Sequence, residues 1–217
     1  MKRFGHLSLA ILCATIVVAT AVAGVRLWGR RHAFVPVPIT AHRSPPDVRL
    51  TTFQQAVLKE LEREVKAGIR YEDGYNVGGD PPAEIGVCTD VVIRSFRAAG
   101  VDLRTAVAED IRAHRNMYRV NRLDPNIDHR RCRNLAVFFK NRTHSLPVSG
   151  DAADWQPGDI VFWDTYGDGR IDHVGIVAAG RDSQGNPTVI HHWPGLPVSE
   201  TDGLYRFTVK GHFRWPE

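Results

Sequence analysis

Apolar residues recur every four positions at Phe53, Val57, Leu61 and Val65, with Glu and Lys between them. That spacing predicts an amphipathic helix over 51–67, stopped by Gly68. A second helix is expected over 88–99, closing at Gly100, with Val91, Val92, Phe96 and Ala99 inward. A third is expected over 103–119, and a short helical piece over 134–140. Between the first two, residues 71–86 are rich in Gly and Pro and read as a loop, and Asp124-Pro125-Asn126 reads as a turn. Beyond Gly150 the period changes. Residues 159–163, 173–179, 187–193 and 205–213 are β-branched or aromatic runs separated by Gly, Pro and Asp, which predicts strands. Helices first and antiparallel strands after give an α+β domain, with N-terminal helices packed on a small antiparallel sheet.

The N-terminus has a different pattern. Leu7 to Val25 carries no charge; Lys2 and Arg3 precede it, and Arg26, Arg30 and Arg31 follow. The run is long enough to nearly span a hydrocarbon core. Two readings fit residues 1–31: a signal peptide cleaved at Ala21-Val22-Ala23, or an uncleaved membrane anchor. Lipid attachment at Cys13 is disfavoured by Leu12, where a small residue is needed. Either reading exports the rest of the chain to the periplasm or cell envelope. Residues 32–50, with four prolines, read as an extended linker, and 51–217 as one domain.

Charge narrows the partners. The 217 residues carry a formal net charge of +4, but 1–31 hold five basic residues and no acid, which leaves 23 basic against 24 acidic residues in the remainder. A dedicated nucleic-acid binder keeps its basic excess on the folded domain, so that class is excluded. Within the domain, 112–142 hold nine Lys/Arg against Asp124 and Asp128. Such a run is either a solvated helix face or a surface for an anionic wall polymer or lipid headgroup.

Candidate chemistry centres on Cys88, which opens a helix after a Gly-rich loop. The free N–H groups and dipole at a helix N-terminus favour a thiolate, the nucleophilic form. Packing at a helix start is the plainer reading of a single cysteine. Cys88 and Cys132 could instead form one disulfide in an exported domain. His173 opens one strand and His191 ends another, with His192 beside it. Paired strands would bring two histidines together near the thiol, a Cys–His–polar arrangement. Alternation of faces along a strand lets only one of His191 and His192 face His173. Cys88 with His173, His191 and His192 could also form a zinc set. Asp128, His129 and Arg130 are candidates for a substrate wall or for a structural ion-pair knot. Asp164 to Gly169 has the look of a calcium loop, but Tyr166 and Gly175 stand where ligands are needed, so a strand-connecting turn is expected.

Four stretches in order carry a family resemblance: Tyr75-Asn-Val-Gly78-Gly79; Cys88-Thr-Asp-Val-Val; Trp155-Gln-Pro157-Gly158-Asp159-Ile-Val-Phe-Trp163; and His173-Val-Gly175-Ile-Val with Val-Ile-His191. On these the chain resembles the NlpC-type, papain-like cysteine peptidases of bacterial envelopes over about residues 71–193. Gly86-Val-Cys-Thr-Asp-Val-Val92 and Ile127-Asp-His-Arg-Arg131 look closer still to an uncharacterised bacterial branch of that superfamily. The chain departs from the common pattern at Val87, where Asp is usual, at Thr89-Asp90, where Ser-Gly is usual, and in a longer 101–150 region. The resemblance implies a papain-like fold with Cys88 as nucleophile, His173 as general base and later acid, and His191 orienting His173. It implies the Cys88 N–H and Tyr75 as oxyanion donors, with Asp90 supporting. It implies a thioacyl-enzyme route without metal or cofactor, acting on an amide bond of peptidoglycan. From the residues alone Tyr75 reads as a loop-packing aromatic. Two competing readings are a non-catalytic envelope-binding module on the same fold and a periplasmic metal-binding protein. The membrane is a partner only if the N-terminal segment is uncleaved.

Overall fold

The computed structural model describes residues 49–216. The segment 1–31 and nearly all of the linker 32–50 lie outside the described residues, and with them the choice between signal peptide and anchor. Among the described residues no helix is long and apolar enough to cross a membrane.

Helix α1 (Thr52–Ala67) begins at a capping box: the Thr51 hydroxyl accepts from the Gln54 amide and the Gln54 side chain accepts from the Thr51 amide. It ends at Gly68, whose φ of +62° suits a residue without a Cβ. Val57 and Leu61 are fully buried, with Phe53 and Val65 packed at the margin of the core. Residues 71–86 are not loop throughout. β1 (Arg70–Tyr71) and β2 (Ile85–Gly86) pair in parallel, with Tyr71 opposite Gly86. Two-residue strands are too short to show any periodicity.

Helix α2 (Cys88–Ala98) buries Val91, Val92 and Phe96. Helix α3 (Leu103–Ala113) buries Leu103, Val107 and Ile111, and stops six residues short of the expected end. The cause is Asp110, buried within α3. Tyr118 turns back to donate its hydroxyl to Asp110, and Asn141 and Arg142 donate to the same carboxylate. A continued helix would carry Tyr118 about 12 Å along the axis from Asp110 and forbid that bond. A 3-10 turn, Arg115–Met117, replaces the lost helix. A second 3-10 turn, Asp128–Arg130, leads into α4 (Cys132–Arg142), which is longer at both ends than expected.

The strands are β3 (His144–Ser145), β4 (Ile160–Asp164), β5 (His173–Arg181), β6 (Pro187–His191), β7 (Ser199–Thr201) and β8 (Thr208–Arg214). They form one antiparallel sheet in the order β3-β8-β4-β5-β6-β7. The short edge strands β3 and β7 were not foreseen. Ile160, Phe162, Val174, Ile176 and Ile190 pack into the helix-side core. Val161, Trp163, Val177 and Val189 pack with Trp155 and Leu204 on the other face. The mixed helix-and-sheet architecture is therefore α+β, with both sheet faces covered. The turn after β4 is held by Asp164, which accepts from the amides of Gly167, Asp168 and Gly169. That carboxylate is occupied by backbone, as in an Asx turn.

Candidate active site

Cys88 occupies the first position of α2, two residues past the β1–β2 pairing. Its helix entrance is fixed by Asp90, which accepts from the Val87 amide at 2.8 Å and from Arg130 through two bonds of 2.7 and 2.9 Å. Arg130 also donates to the Gly74 carbonyl, and the Thr89 hydroxyl donates to the Arg130 carbonyl. This buried, bidentate pair ties the Gly-rich loop, the start of α2 and the 128–130 turn into one unit. His129 lies against the Gly79 carbonyl, and Asp128 accepts from the Asp124 amide. Asp128, His129 and Arg130 are all buried. Arg130 thus belongs to an ion-pair knot with Asp90, and Asp128 and His129 are buried beside it.

The sheet delivers the histidines. Trp163 on β4 is opposite His173 on β5, and Ile176 is opposite Ile190 on β6. His173 and His191 share the Trp163 face, with ring centroids 5.6 and 6.1 Å from the indole. A Cβ at Gly175 would come within 3.0 Å of the His191 Cβ. Glycine there clears the path by which the His191 ring reaches its neighbour. The His173 Nε2 and His191 Nδ1 are 2.7 Å apart, and His191 Nε2 is 2.9 Å from the Thr201 hydroxyl. It is His191, not His192, that meets His173. His192 passes to the other side, fully buried, its ring edge-on to Tyr71 at 5.2 Å.

The proton positions follow from charge. Burial, with His173 and His192 nearby, holds His191 well below the usual histidine range, so its ring is neutral. A neutral ring accepting at Nδ1 donates from Nε2 to Thr201, whose hydroxyl also receives the Gly203 amide. His173 then donates from Nε2 and keeps its other nitrogen toward the thiol. Trp193 stands edge-on over His173 at 5.1 Å and screens it.

Cys88 is 8% exposed, and its sulfur is 3.6 Å from the Cys132 sulfur; both thiols are free. Cys88 is held well below the usual thiol range, first by the Cys132 hydrogen bond, then by the charge and hydrogen bond of His173 and by the Val174 amide, all against the cost of burial. Cys132 is pushed well above it by the hydrogen bond to Cys88 and by burial. Of the two thiols, Cys88 is therefore the one whose charged form the surroundings favour.

Tyr75 is 57% exposed, and its hydroxyl is engaged by Asp124 and Asn126. Tyr71 is half-buried, and the charges of Cys88 and Cys132 contribute to raising its pKa, after burial itself. Sequence reasoning missed Tyr71 and Thr201, and it weighed Cys132 only as a disulfide partner of Cys88, whereas both thiols are free. Only the parallel pairing of β1 with β2 distinguishes Tyr71 from Tyr75. No group of three or more His, Cys, Asp or Glu among the described residues is placed to hold a metal ion.

Solved structures similar to this chain include the following two. One is described as similar to lipoprotein, NLP/P60 family, from Staphylococcus aureus subsp. aureus Mu50, with a TM-score of 0.43 and 16% identity over 83% of this chain and 45% of that one. The other is NlpC1 from Trichomonas vaginalis, with a TM-score of 0.46 and 18% identity over 78% and 46%. The chain spans less than half the length of either. It is 41% identical over 168 residues to Uncharacterized protein YijF of Escherichia coli (strain K12), covering 74% of this chain and 80% of that one. Residues 55–215 match the family described as Domain of unknown function (DUF1287), and the chain belongs to that family.

Proposed function

We propose that this protein is an exported cysteine hydrolase that cleaves an amide bond, with peptidoglycan as its substrate. One observation carries the reading: a depressed, nearly buried thiol at a helix N-terminus meets a histidine that a second, neutral histidine holds in one orientation. The ordered NlpC-type motifs support the same chemistry and the envelope location.

In this mechanism the Cys88 sulfur attacks the amide carbonyl carbon, and its proton resides on His173. The carbonyl oxygen gains the negative charge. The Cys88 N–H, at a helix position with no carbonyl of its own to bond, and the Tyr71 hydroxyl would donate to it. Tyr71 takes the role that the motif match gave to Tyr75. His173 then protonates the leaving amine as the C–N bond breaks, which leaves a thioester on Cys88. Water attacks the thioester, giving its proton to His173. The acid departs, and the thiol pair is restored. His191, neutral throughout, accepts from His173 and stabilises the imidazolium without taking its proton.

The test is digestion of purified peptidoglycan followed by mass spectrometry of the soluble products. New amine and carboxylate ends should appear with the wild-type protein and be absent with Cys88→Ala of unchanged circular dichroism. Identical products from both proteins, or none from either, would overturn the assignment and favour the non-catalytic module.

A further inference from the structure

A cavity of about 770 Å³ lies against α4 and the turn between β4 and β5, its wall built from separated parts of the chain. Arg119 comes from the loop after α3, Arg133 and Lys140 from one face of α4, Arg170 from the turn between β4 and β5, and Lys210 from β8. All five are exposed. Two carboxylates also line it, and both are occupied. Asp168 pairs with Arg170 at 3.4 Å, and Asp172 accepts from the amide and hydroxyl of Thr165. Among the described residues Arg119, Arg133, Lys140 and Lys210 form no ion pair. Five cations against two carboxylates leave a net charge of +3 around one concavity, a self-repulsion that a bound anion lowers. Ile171 and Phe213 add an apolar floor. The cavity adjoins the chemistry through two chain neighbours: Asp172 precedes His173, and Arg133 follows Cys132.

We propose that this cavity binds an anionic arm of the substrate, one carrying two or more carboxylate or phosphate groups beside the scissile amide. The inference rests on the hydrolase reading for its orientation toward Cys88, but binding is measurable without turnover. Arginine forks and lysine ammonium groups suit either oxyanion, and the probes separate the two sources. Calorimetric titration would use Cys88→Ala, so that nothing is consumed. The probes are muropeptides with free carboxylates, the same muropeptides with those carboxylates amidated, and inorganic tripolyphosphate. Carboxylate binding is expected to weaken at least tenfold on amidation, on Arg133→Gln with Lys140→Gln, and on raising the salt. Tripolyphosphate binding that those substitutions abolish, with muropeptides silent, would support the cavity and assign its ligand to a phosphate-bearing polymer. Equal affinity for charged and amidated muropeptides, an affinity unchanged by the double substitution, or no binding of any probe would overturn it. Absence of hydrolysis by the wild type, with charge-dependent binding intact, would sink the proposed function and leave this site standing.

A separate observation concerns Cys132, which the hydrolytic steps do not use. We infer that Cys132 is a positioning residue whose S–H donates to the Cys88 thiolate across the 3.6 Å gap. Its own position at the start of α4 keeps the donor fixed. Site-resolved iodoacetamide labelling of Cys88 against pH tests it. Cys132→Ala should move the midpoint of Cys88 reactivity upward by at least a unit, slowing labelling at pH 6.5 about tenfold, whereas Cys132→Ser, which keeps an O–H donor, should restore the wild-type midpoint. An unchanged profile in Cys132→Ala, or a serine variant no better than alanine, would overturn the role.

Discussion

Two histidine clusters stand on the same sheet and are finished in opposite ways. Around His212 on β8 every polar atom is matched. Its Nδ1 faces the Pro147 carbonyl at 3.0 Å and its Nε2 the Asp159 carboxylate at 2.8 Å. Asp159, fully buried, also accepts two bonds of 2.7 Å from Arg214 and one from the Gln156 amide. Trp155 stacks on the ring at 3.7 Å. Around His173 the chain of bonds runs from Thr201 through His191 and ends at a sulfur. The Cys132 thiol, His173 and the Val174 amide all favour the charged form of Cys88. The first cluster closes on itself and holds β8 to the 156–159 turn. The second leaves an electron pair stabilised but not spent. What separates a structural histidine from a reactive one is therefore what stands at the end of its network, not its burial: both rings are nearly inaccessible.

Removing one histidine from each cluster gives the largest effect. His173→Ala should lower hydrolysis by about 10²–10⁴-fold, the usual contribution of a general base, and slow Cys88 labelling at neutral pH. The wild-type thiol, being depressed, should label at rates that hold as pH falls through neutrality; in His173→Ala the rate should decline over the same range. His212→Ala should lower the melting temperature and leave Cys88 labelling of the folded protein unchanged. Equal labelling in wild type and His173→Ala, or slowed labelling in folded His212→Ala, would erase the distinction.

Asp159→Asn asks how much the closed network holds. It leaves His212 and Arg214 facing an amide instead of a carboxylate. Loss of a buried charge partner costs about 3–5 kcal/mol. A clear fall in thermal midpoint is expected, with Cys88 reactivity intact at low temperature. A midpoint within a degree of wild type would mean the network is ornamental.

This contrast also marks what the sequence could disclose. The four-residue spacing of Phe53, Val57, Leu61 and Val65 and the β-branched runs exposed the helices and long strands, because one buried face imposes a period. Cys88 and the two strand-end histidines were visible because they sit where elements begin or stop. The Trp155–Asp159 stretch carried the resemblance, yet in the fold it builds the closed cluster. Pairing across distance was not visible. Arg130 with Asp90 and Arg142 with Asp110 span 40 and 32 residues. A count of charges over 112–142 therefore could not separate these spent cations from Arg119, Arg133 and Lys140 at the cavity. Thr201 lies on a three-residue edge strand, and Tyr71 is chosen over Tyr75 only by a two-residue parallel pairing.

Glu64 has neither kind of network and should show it through pH. Its side chain is fully buried, both oxygens lack a hydrogen-bond partner, and the nearest cation, Arg94, is 4.0 Å away. Burial pushes its pKa up to about 8. The folded value lies above the unfolded one, so the fold favours the neutral acid. Stability from this group is whole below about pH 4.5 and is lost as pH rises to about 8, at no more than about 1.4 kcal/mol per unit. Thermal melts from pH 5 to 8 should fall in the wild type relative to Glu64→Gln, which stays neutral throughout. Parallel melting curves for the two proteins would contradict this.

The smallest effect expected is at the far end of the reactive chain. Thr201 touches neither thiol nor substrate; its hydroxyl oxygen receives His191 Nε2–H and the Gly203 amide. Valine has nearly the same shape and accepts nothing. The hydroxyl that holds the His191 proton on Nε2 is then gone, and the tautomer that donates from Nδ1 becomes accessible. That tautomer forces His173 to accept at Nε2 and to carry its own proton on the nitrogen that must receive one from Cys88. Thr201→Val should therefore lower the acylation rate about 5–20-fold, a share of the factor a base supplies. Its cost in stability is about 2 kcal/mol, from two lost hydrogen bonds at about 1 kcal/mol each. Thr201→Ser keeps the acceptor and should recover most of the rate. Single-turnover acylation beside thermal melts separates the two quantities. If serine is as slow as valine, or valine as fast as the wild type, the chain ends at His191 and the two clusters differ only in having a thiol nearby.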